Sequence, residues 1–203
     1  NALQLILKGE RVDLGSKTTS FRQWGEALIA LANSPALDAD FDFWRRQLQH
    51  KPVRLPQDQQ GKNQVSSVKT VERRLDAATT KKLLTETSRC YRTEINDLLL
   101  TALARSVSGW TGADTVAFDL EGHGREHVAD AIDVSRTVGW FTSIYPVVLH
   151  LDAQADLGAH IRTVKEQLRA IPRKGMTFGV LRYLSEQPER RQLLNSLSQG
   201  QIS

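Results

Sequence analysis

The chain has 203 residues, 40% hydrophobic and 25% charged, an ordinary folded composition with enough apolar material for one domain or two small ones. Its 27 Lys and Arg against 23 Asp and Glu give a mild +4, and the basic pairs Arg45-Arg46, Arg73-Arg74, Lys81-Lys82 and Arg190-Arg191 are scattered without interleaved aromatics, which reads as solvated faces and argues against nucleic acid. The single cysteine, Cys90, excludes an internal disulfide, and no apolar run reaches membrane-spanning length, so a cytoplasmic setting with no membrane contact is expected.

The first stretch, NALQLILKGER, places Leu3, Ile6 and Leu7 at helical spacing up to Gly9. It lacks a basic leader and cleavage site, so it reads as a helix entered midway rather than a signal peptide. Ser20 is the expected N-cap of a helix through Ala32, with Trp24, Leu28 and Leu31 on one face. A second helix is expected from Asp38 to Leu48, carrying Phe41, Trp44 and Leu48. Lys51 to Lys62, KPVRLPQDQQGK, is polar with two prolines and reads as a linker. Ser67 to Leu75 alternates weakly as a strand. Asp76 caps a helix to about Arg89, and Thr93 caps a longer one that ends at the Gly112 turn. That longer helix is apolar on most sides and is expected to be central. Thr115 to Leu120 reads as a buried strand and Val138 to Leu151 as a long one, with Gly139 allowing a close approach. Leu157 to Ala170 is a helix with Ile161, Val164 and Leu168 inward. Two short helices follow Pro172. The order divides the chain into a helical piece (1–50), a linker (51–66) and a mixed α/β lobe (67–203).

Between the two strands lies Glu121-Gly122-His123-Gly124-Arg125-Glu126-His127. His123 and His127 are four apart, the spacing of two zinc ligands on a helix, but the glycines disfavour a helix and no third ligand is evident. Gly122 and Gly124 free backbone N–H groups for a phosphate, yet no phosphate-loop pattern is present and Glu121 repels an anion. Acid–base chemistry is the third reading. A carboxylate at the end of a buried strand is partly desolvated, which raises its pKa towards the range where it takes and returns a proton near neutrality. A structural ion pair of Glu121 with Arg125 explains the same residues equally well.

EGHGRE (Glu121 to Glu126) followed by RTVGWFTSIYPV (Arg136 to Val147) closely resembles the epimerization domains of nonribosomal peptide synthetases, members of the condensation-domain superfamily. KTTSFRQWGEAL (Lys17 to Leu28), NDLLLTALARSVSGWTG (Asn96 to Gly112) and IPRKGMTFGVLRYL (Ile171 to Leu184) resemble further segments of that family. In the last, Thr177-Phe178 stands where the family has Gly-Tyr. The resemblance implies an α/β fold like chloramphenicol acetyltransferase, with a mixed sheet and helices in each of two lobes, of which this chain is a part. It implies an aminoacyl or peptidyl thioester carried on the 4′-phosphopantetheine arm of a peptidyl carrier protein, among other synthetase modules, with no cofactor bound directly and no metal. The Cα proton leaves and returns on the other face, turning L into D. Glu121 maps onto the family's catalytic glutamate. Gly122, His123, Gly124, Arg125 and Glu126 are assigned to shaping its loop. Gly139, Thr142 and Ser143 are assigned to the tunnel for the arm, and Trp140 and Tyr145 to core packing. The family's HHxxxD histidine has no counterpart, since no His-His pair occurs, and is expected just upstream of Asn1; its FNYLG motif is expected after Ser203. The chain therefore reads as an interior fragment, inactive alone. The alternatives are a condensation-type acyltransferase forming a peptide bond and a carrier-docking module without chemistry.

Overall fold

A computed structural model describes the chain except for residues 1, 14, 48, 51–53, 60, 63, 197–200 and 203. Three helices open it: α1 (Ala2–Leu7), α2 (Phe21–Ala32) and α3 (Asp38–Gln47). The expected Ser20 cap is present. Its side chain accepts the Gln23 N–H, and the Gln23 side chain returns the bond to the Ser20 N–H. Trp24, Leu28 and Ala32 form the buried stripe of α2, and Trp44 is the fully buried residue of α3. Leu48 lies outside the described residues, as does part of the expected linker. In α1 the periodicity is right, but Leu3, Ile6 and Leu7 are all exposed.

The strand expected over Ser67 to Leu75 does not form. These residues carry no regular structure beyond a single tight turn at Val65–Ser67, and Val68, Val71 and Leu75 are exposed. A strand exists only where a neighbour takes its backbone hydrogen bonds, and no described strand lies alongside. Asp76 caps α4 (Ala77–Lys82), which runs through a wide turn at Leu83–Thr87 into α5 (Ser88–Tyr91). The chain then leaves in the left-handed region at Arg92.

The long helix α6 (Ile95–Thr111) begins one residue later than expected. Glu94, not Thr93, is its cap, with the Asp97 side chain accepting the Glu94 N–H at 2.8 Å. Gly112 ends it in the left-handed conformation. The helix is not enclosed: Leu98, Thr101 and Ala104 face inward while Leu99 and Trp110 are exposed. It packs on α7 (Leu157–Arg169) and on the sheet.

The sheet among the described residues is an antiparallel pair, β1 (Thr115–Gly122) and β2 (Ser143–His150), in register from Thr115 opposite His150 to Gly122 opposite Ser143. Because side chains alternate across a strand, the cross-strand pairs Val116–Leu149, Phe118–Val147 and Leu120–Tyr145 share the core face, while Asp119–Pro146 and Glu121–Ile144 share the other. On the side away from β2, the Asp119 N–H donates to the Ile202 carbonyl at 2.9 Å. The strand expected from Val138 to Leu151 is shorter by six residues: it stops at His150, and 138–142 is irregular, with Val138 93% and Trp140 80% exposed. Trp140 is therefore not a core residue, whereas Tyr145 is.

A left-handed turn at Arg173, Lys174 and Gly175 leads into α8 (Met176–Leu184), followed by α9 (Pro188–Asn195). Gly175 is required there, since a Cβ would overlap the Tyr145 ring. Helix α8 lies against α2, α3, α9 and β2 at once. One hydrophobic core runs through Trp24, Trp44, Phe118, Phe141, Tyr145 and Phe178. No described helix is long and apolar enough to cross a membrane.

Candidate functional site

Glu121 is the last-but-one residue of β1, and its position opposite Ile144 puts it on the open face of the hairpin. Its side chain is exposed and makes no hydrogen bond or ion pair with a described residue. The burial expected at a strand end is thus not provided at Glu121 by the described residues. The expected ion pair with Arg125 is also not formed.

Arg125 does something else. Its guanidinium donates to the Val134 and Thr137 carbonyls, the latter at 2.9 Å, and lies 3.9 Å over the Phe141 ring. It thereby closes the loop 123–142 on itself. The loop is also fastened to the segment before α2. The Thr19 N–H donates to the Asp133 carbonyl at 2.8 Å, the Asp133 N–H donates to the Thr19 hydroxyl at 2.9 Å, and the Thr137 hydroxyl donates to the Thr19 carbonyl. Phe141 inserts edge-on between Phe21 and Trp24. Gly124 adopts φ +68°, and a Cβ there would overlap the Phe141 carbonyl, so this glycine fixes how tightly the loop returns under β1.

His123 accepts the Arg125 N–H at Nδ1, 3.0 Å, which leaves the proton on Nε2, facing Glu126 Oε1 at 3.4 Å. Both ring nitrogens of His123 thus face atoms of its own loop. Glu126 is folded inward, only 9% exposed at its side chain, and its Oε2 has no hydrogen-bond partner. Burial, and next the Glu126 carboxylate, push the Tyr145 phenol above its ordinary range, so it stays protonated. His127 turns away to Asp130 at 3.2 Å. No group of three or more metal-ligating side chains occurs among the described residues.

Between α2, β2 and α8 lies a cavity of about 420 Å³, which Glu121 does not line but its cross-strand partner Ile144 does. Thr142 and Ser143 line it, together with Asp119 and Ile144 from the face that carries Glu121. Gly139 does not border it. Its backbone packs against the Phe21 and Phe141 rings, where a side chain would collide. The sequence reading missed Trp24, Leu28, Met176, Phe178 and Gly179 as lining residues. Helical spacing marks such positions only as buried and does not separate a core face from a cavity wall.

The condensation-domain family model matches residues 1–200. The chain belongs to the condensation-domain family. Within it, the chain is 46% identical over its full length to one of the linear gramicidin synthase proteins of Brevibacillus parabrevis and 42% identical over 91% of its length to surfactin synthase subunit 1 of Bacillus subtilis (strain 168). It spans only 3% and 5% of those large relatives. Among solved structures of condensation-family domains, it superimposes on the epimerization domain from the third module of tyrocidine synthetase B with a TM-score of 0.81 at 36% identity, covering 91% of this chain and 41% of that one. The first condensation domain of the calcium-dependent antibiotic synthetase, in complex with a substrate analogue, shares the fold alone, with a TM-score of 0.64 at 15% identity over 98% of this chain and 42% of that one. The expected fold, that of chloramphenicol acetyltransferase in partial form, is therefore the one observed.

Proposed function

We propose that this chain is part of an epimerization domain, which converts an L-aminoacyl or peptidyl thioester on a carrier protein's phosphopantetheine arm to the D form. Residues 1–50 are the tail of the first lobe, 51–66 the connection and 67–203 most of the second. Glu121 takes the Cα proton. The electron pair of the broken C–H bond delocalises into the thioester carbonyl as an enolate, and a proton returns to the opposite face of Cα from a second acid, by resemblance the histidine of an HHxxxD motif. The thioester supplies the acidity, so the reading needs no directly bound cofactor.

The observation that carries this reading is the placement of Glu121: an exposed carboxylate at the end of β1, across from the cavity-lining Ile144, where the strand enters a loop held by Arg125, Gly124 and the His123–Glu126 pair. The likeness to a solved epimerization domain at 36% identity, against 15–20% for the condensation and cyclization structures, supports epimerization over amide formation.

The test uses the intact synthetase module with its carrier loaded with an L-aminoacyl arm in deuterated water. Deuterium at Cα and D product are expected, and Glu121→Gln is expected to lower exchange by about 10²–10⁴-fold, the contribution of a positioned acid–base group. Amide product without exchange would instead establish the acyltransferase. Full exchange in Glu121→Gln would remove Glu121 from the chemistry.

A further inference from the structure

We propose that the cavity beside Glu121 is the pocket for the side chain of the residue being epimerised, and that it selects uncharged, apolar side chains, branched aliphatic or aromatic. This rests on the epimerase reading and adds a substrate class to it.

The geometry supplies the connection. Glu121 and Ile144 are cross-strand neighbours, so their Cβ atoms stand about 5 Å apart on one sheet face. Ile144 is also a wall of the cavity. A Cα held over Glu121 for proton removal therefore has the cavity within one side chain's reach. Its apolar walls include Trp24 and Leu28 of α2 and Met176, Phe178 and Gly179 of α8, and Thr142 and Ser143 add hydroxyls on the β2 side. At about 420 Å³ the space is at the low end of ligand pockets, enough for one side chain but not for a peptide.

The lining chemistry sets the class. Arg182, the cationic wall residue, is turned towards α9: its Nε donates to Asn195 Oδ1 at 2.8 Å, and its guanidinium sits 5.2 Å over the Tyr183 ring. Asp119 is the anionic wall residue, on the sheet face that carries Glu121. Past it the wall offers the Trp24 indole N–H and the Ser143 hydroxyl as unpaired buried polar atoms, too few to replace the water that a carboxylate or ammonium would lose beside Leu28, Met176 and Phe178. An apolar side chain gains there.

Gly179 makes the idea testable. It lies within α8, and a Cβ added to it meets nothing within 4 Å, so a side chain there enters free space. Alanine at a helix-interior glycine costs nothing in propensity, so Gly179→Ala should melt no lower than wild type, and Gly179→Leu fills the cavity from one wall. The probes are amide-linked aminoacyl-pantetheines bearing alanine, leucine, phenylalanine, glutamate or lysine, titrated calorimetrically into the intact module.

The expected result is tighter binding of the leucyl and phenylalanyl probes than of the glutamyl and lysyl ones by at least about tenfold. Gly179→Leu should lower the phenylalanyl-to-alanyl binding ratio by about 10–200-fold, the range for methylene-sized changes in apolar pockets. Equal binding of all probes by wild type, or a phenylalanyl preference that survives Gly179→Leu, overturns the pocket. Cα exchange measured on the same module separates the two claims. Selective binding without exchange leaves the pocket standing and removes the epimerase reading; exchange that ignores the side chain and Gly179→Leu does the reverse.

Discussion

Arg125 shows what a sequence motif conceals. Proximity suggests that it pairs with Glu121, four residues away. The structure instead points its guanidinium at carbonyls nine and twelve residues further on and at the face of Phe141. Nothing in the local sequence encodes backbone acceptors at that distance, so these partners were unreadable. The two residues should therefore separate in mutation. Arg125→Ala is expected to cost about 2–3 kcal/mol, since charged hydrogen bonds are lost and carbonyls are left unpaired, seen as a lowered denaturation midpoint. Glu121→Gln, exposed and without a partner, should stay within about 0.5 kcal/mol of wild type. Equal losses in both would show a coupling between them that the geometry lacks. Gly124 belongs to the same loop. Gly124→Ala adds a Cβ where the Phe141 carbonyl sits, on a backbone already at φ +68°, and should destabilise more than Arg125→Ala in the same denaturation series.

Among the elements, the helices were legible because capping and periodicity are local: Ser20, Asp76 and Gly112 act where the sequence places them. Strand ends were not legible, since they depend on what lies opposite. Residues 138–142 read as strand from their β-branched and aromatic content, yet Phe141 is drawn sideways onto Trp24 and Phe21, and the pairing begins only at Ser143. At the far end of the same hairpin, His150 ties elements together. Its backbone N–H and carbonyl are both bonded by the Gln167 side chain of α7, its Nδ1 lies 3.0 Å from the Thr115 hydroxyl, and its ring meets the His50 ring edge-on, centroids 4.3 Å apart, beyond α3. Burial first, and then the neighbouring His50, hold the His150 pKa below the ordinary 6.5, outweighing the opposing pull of Asp114. The unfolded chain thus takes up the proton more readily than the folded one. Stability should be fully present above pH 6.5 and fall as the pH drops below it. Melting temperatures between pH 7.5 and 5 should fall less steeply in His150→Gln than in wild type; an unchanged slope would show that this ring does not titrate with folding.

The arrangement of α3 and α8 bears on how residues 20–47 hold to the rest of the chain. Sequence patterning marks Trp44 as buried but cannot say against what. It also flags Thr177-Phe178 as a departure from the family's Gly-Tyr without giving a consequence. The structure joins the two observations. The Trp44 indole N–H donates to the Thr177 hydroxyl at 3.3 Å, both side chains are fully buried, and the Phe178 ring packs edge-on to Trp44 at 5.2 Å. A glycine at 177 would leave the indole N–H without an acceptor, so the departure provides a bond between α3 and α8. Thr177→Val keeps the volume and removes that acceptor. It is expected to cost about 1–3 kcal/mol, the penalty for a buried donor left unpaired. Trp44→Phe removes the donor and part of the ring, and should cost more through the cavity it leaves. The double variant is the decisive member. If the bond links the helices, Thr177→Val should cost clearly less in the Trp44→Phe background than in wild type, a coupling of about 0.5–3 kcal/mol in chemical denaturation. Strictly additive losses would mean that shape alone holds α3 to α8, and that threonine at 177 is only filling space.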